Sequence, residues 1–338
     1  MPRDSQGLPA LERPSVRSLA LLGAGAVAAV SVLYLVVPRV AGLDDTWGRL
    51  RDGYPAWIGL AAALEVLSFA GYAVLLHVVT GVGHRASWSI TLAGVAATRL
   101  FAAAGAGGIA LTAWALRRMG LRRRAVMIRL STFFAVLYGV FMAALVIGGV
   151  GLRAGWFPGE APFTFTVVPA VFGASVIAAG LLVALVPRDL DRRLGRRYAA
   201  VPAAMAAGVR GALALVRARE PGLLGAVVWW GCDILVLWAS LHAFGSEPAT
   251  AVVTMAYFVG QLGNTLPLPG GVGGVEGAMV AALVAFGEPA GLAIAGVLTY
   301  RALAFWLPTV PGVAAYIRMQ PGAPSSRVSG ADGGAPDG

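Results

Sequence analysis

The sequence predicts an all-α polytopic membrane protein, with six full spans plus two re-entrant helical hairpins in an inverted repeat. Three observations lead to this fold class. First, 58% of the 338 residues are hydrophobic and 12% are charged, about half the charged fraction of a soluble domain. Second, the apolar residues fall in runs of about 20, the length that crosses a bilayer as a helix. Third, two of these runs are interrupted, one by glycines and the other by glycines and prolines, while arginines cluster between the runs.

The same composition excludes a cytosolic enzyme, a secreted disulfide module and a nucleic-acid binder. The net charge of +10 is better explained by attraction to the anionic cytoplasmic leaflet. A single cysteine, Cys232, excludes an intramolecular disulfide and a cysteine-based metal site. His77 and His242 have no second ligand at helical spacing, so we expect no metal and no cofactor. There is no ATP-binding motif of the form G-x-x-x-x-G-K-[ST], so direct ATP drive is not expected.

Six apolar runs are long enough for full spans. The first, residues 19–37, follows three arginines and precedes no small-x-small cleavage site, so we expect a retained anchor and not a signal peptide. The five others are residues 56–80, 126–151, 163–186, 222–244 and 290–317. We expect the transmembrane domain to occupy residues 19–318, between a cytoplasmic tail (1–18) and a Gly, Pro, Ser and Asp-rich, disordered tail (319–338).

Arginine placement orients the spans, because cytoplasmic loops carry the excess of basic residues. Residues 117–124 contain five arginines and residues 187–221 contain eight, whereas residues 152–162 contain one and 245–248 none. We therefore place the first two segments in the cytoplasm and the last two outside. Both termini are then cytoplasmic, and the protein is expected in the cell inner (plasma) membrane. Within the arginine-rich loop, residues 198–219 predict a helix that lies on the cytoplasmic leaflet.

The two broken runs, residues 88–116 and 249–286, begin and end on the same side in this topology. Each is therefore predicted to be a re-entrant hairpin; for residues 88–116 the alternative is a pair of spans that are too short for a normal bilayer. Non-helical backbone at membrane depth is tolerated only where it is buried in protein or lines a wet cavity.

The two halves of the chain predict an internal repeat, with repeat 1 at about 19–151 and repeat 2 at about 163–318. Each half contains a span, a span with an acid, a hairpin with a glycine pair and a span with an arginine. In order, the matched residues are Glu65, Gly107, Gly108 and Arg129 in the first half and Asp233, Gly273, Gly274 and Arg301 in the second. The halves have opposite orientations. Secondary transporters use such inverted repeats, with the substrate site near the midplane at the repeat interface.

The loop of the second hairpin is the sharpest local signal. Its prolines stop an incoming helix, and its glycines let backbone N–H groups crowd together before a new half-helix starts. A helix N-terminus offers unpaired N–H donors and a partial positive charge, which suit a phosphate or carboxylate. The substrate-binding residues predicted in this loop are Asn264, Pro269, Gly270, Gly271, Gly273 and Gly274. Gly107 and Gly108 are predicted to serve likewise in the first hairpin.

Five of the charged residues inside the apolar runs are candidate site residues, and a charge there costs about 2.5–3.5 kcal/mol at the membrane centre. Arg99 and Arg301 are the predicted phosphate contacts, because a guanidinium grips phosphate oxygens bidentately; alternatively each neutralises an acid. Glu276 either caps the half-helix, or it pairs with Arg301 or contacts a proton or head group. Glu65 and Asp233 form either a neutralising pair or part of a proton relay.

Two motifs carry a family resemblance: PxPGGxGxxE at residues 267–276 and YRxxxFWxPxxPG at residues 300–312. With them, the chain over about 19–318 resembles the flippase-like membrane family related to the transmembrane domain of lysylphosphatidylglycerol synthase, the multiple peptide resistance factor. The resemblance implies re-entrant helices and movement of an aminoacylated lipid between leaflets. The matching positions are Asp233, Pro269, Gly270, Gly271, Gly273, Glu276, Tyr300 and Arg301. The family's full-length synthase adds a soluble aminoacyl-transferase domain that has no counterpart in this sequence, so lipid aminoacylation is not implied.

We therefore expect an integral membrane lipid transporter that moves a polar or aminoacylated phospholipid by alternating access, and not an enzyme. Its expected partners are membrane lipids with anionic or aminoacylated head groups, and not nucleic acid; a homo-oligomer is compatible with the sequence. Two alternatives stay open. One is a membrane-embedded transferase for a lipid-linked substrate, which would need a sizeable donor-binding loop. The other is a non-transporting accessory subunit.

Overall fold

The computed structural model describes residues 53–100, 106–186, 196–263 and 273–319. The predicted span at 19–37, the predicted N-terminal tail before residue 19 and the predicted C-terminal tail beyond residue 319 lie outside these ranges. Within them the chain is helical and contains no β-strand. The helices are α1 (Pro55–Thr80), α2 (His84–Leu100), α3 (Ala106–Arg118), α4 (Arg123–Arg153), α5 (Phe163–Ala184), α6 (Arg196–Arg217), α7 (Leu224–His242), α8 (Thr250–Leu262), α9 (Gly274–Ala285), α10 (Ala290–Arg301) and α11 (Leu307–Met319).

Five helical segments are long and apolar enough to cross a membrane. They are Pro55–Thr80, Arg123–Arg153, Phe163–Ala184, Pro221–His242 and Ala290–Met319. The shortest has 22 residues, which at 1.5 Å per residue is about 33 Å and exceeds the ~30 Å hydrocarbon core. These segments correspond to five of the six predicted full spans.

Each broken run forms two short helices that pack against each other, α2 with α3 and α8 with α9. Helices α3, α8 and α9 have 13, 13 and 12 residues, or about 20 Å, which is too short to cross the hydrocarbon core. Glycines permit the contact in both pairs. A Cβ on Gly108 would lie 2.7 Å from the carbonyl oxygen of Gly94, and one on Gly263 would lie 2.5 Å from that of Gly274.

Contacts between the two halves occur in matched pairs. Helix α1 packs along α7, and these are the helices that carry Glu65 and Asp233. Helix α2 of the first pair packs against α11 of the second half, while α8 of the second pair packs against α4 of the first half. Each short-helix pair therefore contacts the last long span of the opposite half.

Helices α1 and α7 cross at two glycines. A Cβ on Gly71 would lie 2.6 Å from the carbonyl oxygen of Gly225, although real Cβ contacts are essentially never under 3.0 Å. The reciprocal contact, from a Cβ on Gly225 to the carbonyl oxygen of Gly71, is as close. Small residues allow this backbone approach, which is a common way to join helices within a membrane.

The last span is interrupted by a π-helical segment, Ala302–Trp306, between α10 and α11. Pro308 cannot donate an N–H to the carbonyl four residues earlier, so the α-helical hydrogen-bond ladder is broken here. Such π-helical turns are frequent at functional sites. This one begins immediately after Arg301.

Helix α6 corresponds to the helix predicted at 198–219, and it packs against α4 and α5. The Thr132 hydroxyl donates to the carbonyl of Gly208 at 3.1 Å. Arg210 donates to the carbonyls of Ala184 and Val186, at 3.1 and 2.9 Å, and so satisfies the C-terminal end of α5. The helix is confirmed, and its position on the cytoplasmic leaflet stays a prediction.

Candidate functional site

Four charged side chains from four different helices are buried among apolar residues. They are Glu65 (5% exposed), Asp233 (9%), Glu276 (5%) and Arg301 (6%). A buried charge is costly unless it is paired and hydrogen-bonded. All four belong to the five charged residues that the sequence singled out.

Glu276 binds at both of its carboxylate oxygens. One accepts a hydrogen bond from Nε of Arg301 at 2.6 Å, and the other accepts the backbone N–H of Gly273 at 2.7 Å. Gly273 has φ +86°, a left-handed conformation that side chains disfavour. The two structural roles considered for Glu276, a cap for α9 and a partner for Arg301, therefore coexist. The carboxylate ties the start of α9 to the end of α10.

Arg301 also contacts the segment that follows it. Its guanidinium carbon lies 4.1 Å from the ring centroid of Phe305, within cation–π range. Because Phe305 belongs to the π-helical segment, a movement of that segment would change the surroundings of the guanidinium.

Asp233 is held by two tyrosines. Its Oδ2 atom accepts hydrogen bonds from the hydroxyls of Tyr257, on α8, and Tyr300, on α10; the Tyr300 bond measures 3.3 Å. The two rings pack edge to face, with centroids 6.1 Å apart. Tyr300 was among the predicted site residues, but Tyr257 was not. The available signal for Tyr257 was a phenol hydroxyl within a mainly apolar helix.

Glu65 faces the same buried region from α1. It lies within electrostatic range of Tyr257 and Tyr300. One turn further along α1, the hydroxyl of Ser68 donates to the carbonyl of Trp229 on α7 at 2.9 Å, which fixes the two acid-bearing helices side by side. A neutralising pair or a proton relay of Glu65 and Asp233 stays a prediction.

The predicted glycines of the hairpins serve helix packing in the structure. Gly108 is buried against α2, and Gly274 lies against Gly263 of α8. Gly107 is half-buried in the first turn of α3. Their role in substrate binding stays a prediction. The predictions for Asn264, Pro269, Gly270, Gly271 and the Arg99 side chain fall outside the described residues.

Arg129, which the predicted repeat matches with Arg301, makes a different contact. Its guanidinium donates to the carbonyl of Thr80 at the end of α1. In the predicted repeat, Ala110 stands where the second half has Glu276. With no carboxylate at that position, Arg129 binds a helix C-terminus, whose partial negative charge favours a cation.

These features define a helical membrane protein with an ion pair and a tyrosine–carboxylate cluster buried between its helices. Residues 21–312 match the family model of the lysylphosphatidylglycerol synthase TM region, and the chain belongs to this family of multi-pass membrane proteins. A UPF0104 membrane protein of Methanothermobacter thermautotrophicus is 23% identical, over 87% of this chain and 93% of the relative. The family resemblance carried by the two sequence motifs is confirmed.

Proposed function

We propose that this protein is a lipid transporter that moves a polar or aminoacylated phospholipid between leaflets by alternating access. The observation that carries the proposal is the buried ion pair of Glu276 and Arg301, 2.6 Å apart. It joins a helix too short to span the membrane to a full span that is interrupted by a π-helical turn. A lipid phosphate is a natural competitor for the guanidinium, because arginine binds phosphate and carboxylate by the same donor geometry.

The matched contacts between the halves support an inverted repeat with two re-entrant hairpins. In that architecture the substrate lies near the midplane, and one repeat moves against the other. The proposed topology has six spans, with both termini on the cytoplasmic side of the inner membrane. The family's link to lysylphosphatidylglycerol synthase supports a lipid as the substrate.

The buried side chains suit a lipid head group that carries both a negative and a positive charge. The guanidinium of Arg301 would bind the phosphate, and the carboxylates of Glu65 and Asp233 would accept hydrogen bonds from an amino group. A phosphate on Arg301 would displace Glu276 and so release α9 from α10. A ligand shifts a conformational equilibrium by its differential affinity for the two states, and this exchange of partners supplies such a difference.

Purified protein in liposomes tests the proposal, with fluorescent phosphatidylglycerol and lysylphosphatidylglycerol as probes. Their transfer is measured by the fraction protected from a membrane-impermeant reductant. We expect Arg301→Ala and Glu276→Gln to reduce the transfer rate at least tenfold. Arg153→Ala and Glu247→Gln are the matched controls, because both residues are exposed.

Unchanged transfer by both variants would contradict the proposal. So would transfer no faster than in protein-free liposomes. Covalent modification of a lipid by the purified protein would also contradict the proposal. It would identify the protein as a membrane-embedded transferase.

A further inference from the structure

A cleft separate from the buried charges lies where α2, α3 and α11 meet. It has a volume of about 380 Å³, and its lining includes Ser89, Ile90, Trp114, Arg118, Met119 and Met319. This volume is within the range of about 300–1,000 Å³ for small-molecule sites. The walls are mainly apolar, and Arg118 supplies a cation.

The helix ends that meet at this cleft are rich in arginine. Helix α2 starts with Arg85 in its first turn, α3 ends with Arg117 and Arg118, and α11 carries Arg318 next to its last residue. None of these three helices contains an Asp or Glu. The next helix, α4, begins with two further arginines. A local excess of positive charge attracts an anion.

Arg118 is exposed, and its guanidinium carbon lies 5.1 Å from the ring centroid of Trp114. Stacking of this kind orients a guanidinium while its N–H groups remain directed at oxygen ligands in its plane. The stacked cation is therefore pre-positioned beside an apolar cleft. An amphiphile with an anionic head matches this arrangement, since its apolar part fills the cleft and its head binds Arg118.

We propose that this cleft binds one anionic phospholipid of the cytoplasmic leaflet, with an acyl chain between α2, α3 and α11 and the phosphate at Arg118. A soluble anion would leave the apolar walls without a partner, and a neutral lipid would place no anionic group at Arg118. Because α11 belongs to the second half of the chain, the lipid would bridge the two halves. The proposal does not depend on lipid transport, since the binding would persist in a protein that moves no lipid.

Photo-crosslinking tests this site directly. The full chain is placed in phosphatidylcholine nanodiscs with a trace of phosphatidylglycerol that carries a diazirine near the end of one acyl chain. After illumination, the labelled peptides are located by mass spectrometry. We expect labels in α2 and α3 on residues that line the cleft, and weaker labelling by the corresponding phosphatidylcholine probe.

Two variants distinguish the contribution of the apolar cleft to lipid binding from that of the positive charge. Arg118→Gln is expected to reduce phosphatidylglycerol labelling about fivefold, which corresponds to ~1 kcal/mol for one basic residue near an anionic surface. Ser89→Trp fills the cleft and is expected to reduce the labelling to background.

The controls repeat both substitutions elsewhere. Arg217→Gln removes another exposed arginine. Ser175→Trp replaces another exposed serine whose hydroxyl donates to a carbonyl of its own helix, as that of Ser89 does. Both controls are expected to keep the original labelling, and size-exclusion profiles verify that all four variants are folded.

Three results would overturn the proposal. Equal labelling by the two lipid probes would indicate general boundary lipid. Unchanged labelling in Arg118→Gln and Ser89→Trp would place the lipid elsewhere. Labelling that occurs only after residues 320–338 are deleted would identify that segment of the chain as the occupant of the cleft. None of these outcomes depends on the result of the transfer assay. The proposed lipid site and the proposed transport function can therefore each be refuted without the other.

Discussion

Glu276 and Arg301 form a buried ion pair, 2.6 Å between Oε1 and Nε, that connects the first turn of one helix to the last residue of another. The second oxygen of Glu276 is occupied by the backbone N–H of Gly273. One carboxylate therefore stabilises a helix start and an interhelical contact together. A ligand that displaces Glu276 from Arg301 would break the interhelical contact and leave the hydrogen bond of Glu276 to the backbone N–H of Gly273.

A double-mutant cycle measures this pair. Loss of one member of a buried pair is strongly destabilising, by about 3–5 kcal/mol, because the other charge stays buried. We expect Arg301→Met and Glu276→Gln each to lower the free energy of unfolding by about this amount. The double variant should lose less than the sum of the two, as determined by unfolding in mixed micelles. Additive losses would mean that the pair is not coupled.

The α1–α7 crossing predicts a steric effect. Gly71→Leu or Gly225→Leu would push a side chain into the facing backbone, and overpacking costs about 1–3 kcal/mol. We expect both variants to melt earlier, as measured by thermal unfolding of the purified protein. Gly59→Leu and Gly231→Leu are matched controls on the same helices, because nothing lies within 4 Å of a Cβ at either position. Equal losses at all four glycines would contradict the crossing.

The two tyrosines that donate to Asp233 should contribute unequally to the free energy of unfolding. A hydrogen bond to a charged group contributes about 1.5–3 kcal/mol, and the Tyr257 contact is closer than the 3.3 Å contact of Tyr300. We expect Tyr257→Phe to lower the free energy of unfolding more than Tyr300→Phe does. Tyr138→Phe, at an exposed ring, should change it by less than about 0.5 kcal/mol. The reverse order of the first two variants would assign the stronger contact to Tyr300.

Arg129 and Arg301 should differ in function although the predicted repeat matches them. Arg129 binds the carbonyl of Thr80, so we expect Arg129→Gln to lower the melting temperature and to retain lipid transfer. Arg301→Gln should reduce transfer at least tenfold in the liposome assay. Equal loss of transfer in both variants, at matched protein stability, would show that the two arginines act alike.

Much of the fold was predictable because span length and hydropathy are local properties of the chain. The run at 56–80 predicted α1, which the structure places at Pro55–Thr80. The glycine-interrupted runs predicted the two pairs of short helices for the same reason. Glu276 and Arg301 were also predictable as residues, because a charge inside an apolar run needs a partner or a use.

The sequence by itself determined the membrane class, the family motifs and four of the buried charges, Glu65, Asp233, Glu276 and Arg301, since these follow from composition along the chain. Only the tertiary structure decided the partners: Tyr257 on Asp233, Arg129 on Thr80 and α11 against α2. Those contacts join helices that are distant in sequence, and their geometry depends on how the helices cross. Glycine pairs such as Gly71 and Gly225 set that crossing. Their role can be recognised only when the facing backbone is known, because a glycine has no side chain whose chemistry would indicate its partner.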